Sequence, residues 1–188
     1  MRIFGIDPGS VRTGYGCIEA SGTRCALICS GAIVPPARSA FPEKLKVIHF
    51  ELAARLTDAR PDCVAIESLF HGLNTRSAFA LAHARGVMLL AATQLGLPVV
   101  EYAPAEVKRA VVGYGRAEKP QVQQMVTLLL GLATPPKPLD VSDALAVALC
   151  HAHAASATVP RPVDASPFAR GRRVTSWRQL RPEDLEHR

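Results

Sequence analysis

Residues 1–16 read MRIFGIDPGSVRTGYG, and the fold is decided at position 7, where an apolar run ends in an aspartate followed at once by Pro8-Gly9. Arg2 to Ile6 has the composition of a buried strand, whereas Pro8, Gly9, Gly14 and Gly16 read as turn and hairpin punctuation. Asp7 therefore closes the first strand. Two roles are open to it: accepting hydrogen bonds from the backbone of the turn, or serving in a site.

Working outward, three strands are expected first, Arg2–Asp7, Tyr15–Ala20 and Arg24–Val34, joined by short turns into an antiparallel meander. Phe41, Leu45, Ile48, Leu52 and Leu56 recur at spacings of four, three, four and four, which predicts an amphipathic helix facing a core. Cys63–Glu67 follows as a strand. Asn74–Leu95 is rich in Ala and Leu and almost uncharged outside Arg76 and Arg85, which predicts a mostly buried helix with Asn74 as its N-cap. Pro98–Tyr102 reads as a fifth strand, Ala105–Val112 as a short helix, GYGRAEKP (113–120) as a loop, and Lys119–Leu130 as another helix. The segment ATPPKP (133–138) breaks regularity before a last helix, Asp140 to about Ala155. The expected class is α/β, with three antiparallel strands, then two parallel ones, in one mixed five-stranded sheet flanked by helices.

A chain of 188 residues with 48% hydrophobic content supports one domain with a substantial core, assigned to 1–155. Residues 156–188 turn to Pro, Arg, Ser and Ala, with seven arginines against four acids, and read as a basic, mobile tail. No apolar stretch reaches the roughly 18 residues needed to span a bilayer, and the start lacks the layout of a secretion signal. A soluble, cytoplasmic protein is expected, without a membrane partner. Cys17, Cys25, Cys29, Cys63 and Cys150 never form Cys-x-x-Cys and read as reduced core residues rather than zinc ligands. The net charge of +6 favours a polyanionic partner, nucleic acid first among them, because lysine and arginine gain affinity for phosphates by releasing condensed counterions.

Glu67 ends Cys-Val-Ala-Ile-Glu much as Asp7 ends Ile-Phe-Gly-Ile-Asp. If the two strands are parallel, both acids reach the sheet edge where open α/β sheets bind ligands. Asp140 and Asp143, three residues apart, share one face of the first turn of the last helix. By themselves they are explained equally well as helix-capping acids. Should all four converge, each close pair at ~4 Å repels by about 4 kcal/mol at an effective dielectric near 20, and something must neutralise the cluster. Protonation is one answer. Hard divalent cations are the other, and two Mg²⁺ would balance four carboxylates and support in-line attack of water on phosphorus.

Four stretches together resemble the RuvC family of bacterial Holliday junction resolvases, within the ribonuclease-H-like superfold: GIDPGSVRTGYG, AIESLFHGLNTRSAFALAHARGV, EYAPAEVKRAVVGYGRAEKPQV and LDVSDALAVALCHAH. The resemblance runs from Met1 to about His153. It implies that Asp7, Glu67, Asp140 and Asp143 ligate Mg²⁺, or Mn²⁺ in its place, and drive hydrolysis of DNA phosphodiesters, leaving a 5′-phosphate and a 3′-hydroxyl. It further implies a homodimer acting on four-way junction DNA in recombination and repair, in the bacterial cytoplasm, with RuvA and RuvB as partner proteins. Phe70 matches a family aromatic that stacks on bases near the crossover, although a core position also suits it. Lys108 and Lys119 match basic residues placed toward DNA backbone or developing phosphorane charge, with a solvated surface lysine the other reading. Arg76 is added as a phosphate contact from its place near a helix start. Gly113 and Gly115 suit either a close approach to DNA or simple turn chemistry. His151 and His153 follow Asp143 at offsets of eight and ten, as ligands or as helix-end residues.

Three competing functions are weaker. A kinase of the actin and sugar-kinase type needs a second lobe for which the chain has no room. A binding module without cleavage would have four aligned acids repelling its own DNA. An RNA-processing nuclease of similar fold lacks a reason for Phe70 and the central segment.

Overall fold

The computed structural model describes residues 1–68 and 75–158. Strand β1 (Arg2–Asp7) pairs antiparallel with β2 (Thr13–Ser21), which pairs antiparallel with β3 (Arg24–Ile33). Helix α1 (Phe41–Ala59) then crosses to β4 (Cys63–Glu67), which lies parallel to β1. Helix α2 (Thr75–Gln94) leads to β5 (Val99–Tyr102), parallel to β4. The sheet order is β3-β2-β1-β4-β5, the mixed five-stranded arrangement expected from the sequence. Helices α3 (Pro104–Val112), α4 (Lys119–Leu129) and α5 (Leu139–Thr158) complete the described chain.

Strand alternation divides the core in two. Phe4, Ile6, Val64 and Ile66 point to the face covered by α1 and α2, and Ile3, Cys63 and Ala65 point to the face covered by α5 with α3 and α4. Counting by twos, Asp7 and Glu67 fall on the α5 face. Helix α5 is buried along most of its length, from Val141 through Ala144–Cys150 to Ala152. Burying side chains the size of Leu145 and Leu149 contributes about 1.5–3 kcal/mol each, which makes α5 the anchor of that layer.

Three glycines decide how deeply α5 sits. Gly14 and Gly16, read from sequence as hairpin punctuation, lie inside β2, opposite Asp7 and Gly5 of β1. A Cβ built on Gly5 would strike the Ala144 carbonyl, one on Gly14 the Asp140 carbonyl, and one on Gly16 the Leu145 side chain. These positions form a furrow, and the helix backbone rests directly on the sheet.

Other differences are local. The second strand runs further than Tyr15–Ala20 at both ends, because the turn before it is completed within residues 8–12. Helix α5 continues to Thr158, past the expected end near Ala155. Helix α2 is not mostly buried: Ala84, Met88, Ala91 and Ala92 form its one buried stripe, while Phe79 and Leu90 are 62% and 49% exposed. Lack of charge suggested burial, but one side of this helix has no covering layer among the described residues. Asn74, the expected N-cap, and Phe70 lie outside the described residues, as does the tail from 159 onward. Among the described residues no helix is long and apolar enough to cross a membrane.

Candidate active site

The parallel pairing of β1 with β4 aligns Ile6 with Ile66, so the next residues, Asp7 and Glu67, emerge side by side at the same sheet edge. With α5 sunk into the glycine furrow, its first turns reach this edge. Asp7, Glu67 and Asp143 line one cavity of about 90 Å³, with Val107, Val122 and Ala146 as apolar walls and Lys108 and Lys119 at its side. Asp140 is close enough to act on the charge of Asp7 but lines the neighbouring cavity, beside Arg12.

Each lysine is placed by its own helix. Glu106 accepts a hydrogen bond from the Ala103 N–H at 2.9 Å and so fixes the start of α3, whose Val107 and Val111 pack into the core, leaving Lys108 at the cavity edge. Gln121 does the same for α4, accepting from the Glu118 N–H at 2.8 Å, and Lys119 is the first residue of that helix. Lys119 Nζ donates to Asp143 Oδ2 at 2.7 Å. Lys119 is thus engaged with the acids rather than simply solvated. Arg12 Nη1 stands 3.4 Å from Asp140 Oδ2.

The electrostatics follow from crowding. Burial, then the charges of Glu67 and Asp143, push the Asp7 carboxyl up to about 8, with Asp140 adding to the rise and Lys119 opposing it. Burial and Asp143 also raise Glu67, against the pull of Lys119, a hydrogen bond donated by Asp7, and Lys108. Lys119 is held above its ordinary value, chiefly by its hydrogen bond to Asp143. Without added cations the cluster keeps a proton.

A pH dependence follows. The Asp7 carboxyl ionises near 8 when folded and near its ordinary value of 3.8 when unfolded, so between those values the folded state holds an extra proton. The stabilising contribution is complete below the lower value and is lost as pH rises through the higher one. Melting temperatures of EDTA-treated protein are expected to fall between about pH 5 and about pH 8. Asp7→Asn, neutral throughout, should melt several degrees higher at the upper end, and identical curves for the two proteins would contradict the assigned burial and crowding.

The remaining predicted residues fall elsewhere. Arg76 is exposed near the start of α2 and is not part of the cavity wall. His151 does not point to the acids: its Nδ1 is paired with the Tyr102 hydroxyl at 2.7 Å. His153 Nδ1 meets the Ala110 carbonyl at 3.0 Å, and both histidines precede the end of α5 by several residues. Gly113 takes φ +94 as the C-cap of α3, so helix termination accounts for it. Sequence reasoning missed Arg12, although a lone charge within the turn after Asp7 was visible there.

The side-chain oxygens lining the cavity all belong to carboxylates, the hard ligands that suit Mg²⁺ or Mn²⁺ and not zinc. As placed, no three His, Cys, Asp or Glu side chains among the described residues converge into a ready cage, because Asp140 and Asp143 are turned to Arg12 and Lys119. With these two cations in place the Asp7 carboxyl is still raised, by burial first and then by the charges of Glu67 and Asp143. The donor set therefore fits a divalent ion, on condition that the ion pairs rearrange.

The sequence pattern of the family described as "Crossover junction endodeoxyribonuclease RuvC" matches residues 3–151. The chain belongs to the RuvC family. It is 51% identical over 153 residues to the RuvC of Desulfitobacterium hafniense, covering 81% of this chain and 93% of that protein. The Thermus thermophilus RuvC structure superposes with a TM-score of 0.76 at 35% identity, covering 82% of this chain and 95% of the other. A second Thermus thermophilus RuvC structure, in complex with a Holliday junction substrate, gives 0.77 at 32% identity over 84% and 97%. The family match runs from within β1 into α5 and hence takes in every carboxylate of the cavity, along with Arg12, Lys108 and Lys119.

Proposed function

We infer that the protein is a Holliday junction resolvase, a structure-specific endodeoxyribonuclease that makes paired, symmetric cuts in four-way junction DNA during recombination and repair. The observation that carries this reading is that Asp7, Glu67 and Asp143 line one cavity, with Asp140 near enough to act on the charge of Asp7, in a chain of the RuvC family.

Asp7, Glu67, Asp140 and Asp143 would hold Mg²⁺, with Mn²⁺ able to take its place, and two ions per site would match four carboxylates in charge. Bound there, the metal supplies Lewis-acid stabilisation of charge and an activated water for in-line attack on phosphorus. Asp7 and Glu67 present their oxygens from the rigid sheet edge, and Asp143 comes within reach once Lys119 releases it. Lys108 and the freed Lys119 then face the phosphate and offset charge that develops on its oxygens. The apolar walls Val107, Val122 and Ala146 limit bulk water. Phe70 is assigned to stacking on bases near the crossover, and Arg76 to a phosphate contact.

A junction has two equivalent strands to cut, and a two-fold dimer gives each its own site. The exposed side of α2, with Phe79, Ala82, His83, Gly86 and Leu90 at helical spacing, supports a homodimer joined through that face. The bacterial cytoplasm is the proposed location, with RuvA and RuvB as partners by family resemblance. The nuclease domain is assigned to residues 1–155, and residues 156–188 to a basic tail with DNA affinity.

The test is a synthetic four-way junction incubated with purified protein in Mg²⁺ or in EDTA, beside an unbranched duplex of the same sequence. Symmetric nicks confined to the junction and dependent on Mg²⁺ are expected. Lys108→Ala should cut about a hundredfold more slowly, as for loss of one group that stabilises transition-state charge. Junction binding with no cleavage in either Mg²⁺ or Mn²⁺ would instead make the protein a binding module.

A further inference from the structure

Arg12 has no part in the function so far described, yet its position is firmly built. The Thr13 hydroxyl, fully buried, donates to the Gly9 carbonyl at 2.8 Å and closes the turn that carries Arg12. The next residue, Gly14, rests against the Asp140 carbonyl, so the turn and the first turn of α5 are locked together. The result is the ion pair between Arg12 and Asp140, with side chains 47% and 30% exposed. The pair opens onto a separate cavity of about 450 Å³, lined also by Gly9, Ser10 and Ser77. Lys119 makes the equivalent pairing with Asp143 on the other side.

We propose that Arg12 is a positioning residue that exchanges partners: it holds Asp140 in the metal-free protein and passes to a backbone phosphate of the bound strand when a divalent cation takes Asp140. This rests on the reading of the protein as a metal-dependent junction nuclease. A guanidinium presents its donors in a fork that fits a carboxylate or a phosphate equally well. Near half-exposure, the pair is weak enough to be given up. The neighbouring cavity, walled partly by the backbone of the turn and by Ser10 and Ser77, offers a path for the strand beside the cut. The exchange keeps Asp140 paired throughout, since a divalent cation arrives at the carboxylate as the guanidinium leaves it, and it ties metal loading at Asp140 to the presence of DNA.

The test compares Arg12→Gln and Arg12→Lys with wild type. In calorimetric titration of the DNA-free protein with Mn²⁺, Arg12→Gln should bind more tightly, by roughly two- to fivefold, the equivalent of one exposed ion pair lost as competitor. The salt dependence of junction binding, measured without divalent metal, should be the same as in wild type, because Arg12 is then still on Asp140. Measured with Ca²⁺, the logarithmic salt slope should be shallower by about one in Arg12→Gln, and Arg12→Lys should restore it. Equal melting temperatures identify the effects as local. Unchanged Mn²⁺ affinity, or equal salt slopes in Ca²⁺, would overturn the exchange while wild-type cleavage still upheld the nuclease reading. Absence of metal-dependent junction cleavage by wild type would remove the nuclease reading itself.

Discussion

Asp7→Asn is expected to lower the rate of junction cleavage by about a thousandfold or more while junction affinity stays within about threefold of wild type. Asp7 is the residue on which every other acid of the site acts: Glu67, Asp143 and Asp140 all raise its carboxyl. An amide has the same shape but no charge, so the cavity keeps its walls and loses its central anionic donor. On the proposed reading DNA affinity comes from cations such as Lys108, and removing a negative charge from their midst would relieve repulsion of phosphate. Cleavage and binding are measured on the same junction, with Mg²⁺ present for the first and Ca²⁺ for the second. A variant that cuts at more than about a tenth of the wild-type rate would remove Asp7 from the chemistry.

Gly14→Ala is expected to cut about a hundredfold more slowly although no chemical group of the site has been changed. Its Cβ would occupy the space of the Asp140 carbonyl, and neither the strand, paired on both sides, nor the helix, buried along its length, can yield alone. The start of α5 must lift, and Asp140 and Asp143 lift with it. A displacement near 1 Å is enough to cost about two orders of magnitude in rate. Overpacking of this kind also destabilises by about 1–3 kcal/mol, so thermal melting is followed alongside cleavage to separate loss of fold from loss of geometry. A folded Gly14→Ala protein with normal cleavage would show that α5 has slack and that the furrow does not set the site.

Several features were legible before the structure. Strand β1 and strand β4 have the bounds expected of them, because short apolar runs ending in an acid before turn residues leave little freedom of assignment. The helical periodicity of Phe41 to Leu56 located α1 for the same reason. Helix α2 was misjudged as buried: composition reports the polarity of a face but not whether another layer exists to cover it. Asp140 and Asp143 were ambiguous as a pair, since a helix start accounts for acids as well as a site does. Their observed side-chain partners are Arg12 and Lys119, from a turn and a helix remote in sequence.

The sequence by itself determined the two strand-ending acids, the paired acids of the last helix, the order of the elements and the family, because these depend on residue type and short-range spacing. Tertiary structure alone decided that Asp7, Glu67 and Asp143 line one cavity, that Gly5, Gly14 and Gly16 form the seat of α5, and that Arg12 guards Asp140 while Lys119 guards Asp143. Those facts depend on the depth to which a helix settles on a sheet. That depth is fixed by side chains missing from one strand pair and by a helix more than a hundred residues away along the chain, a relation no local pattern contains.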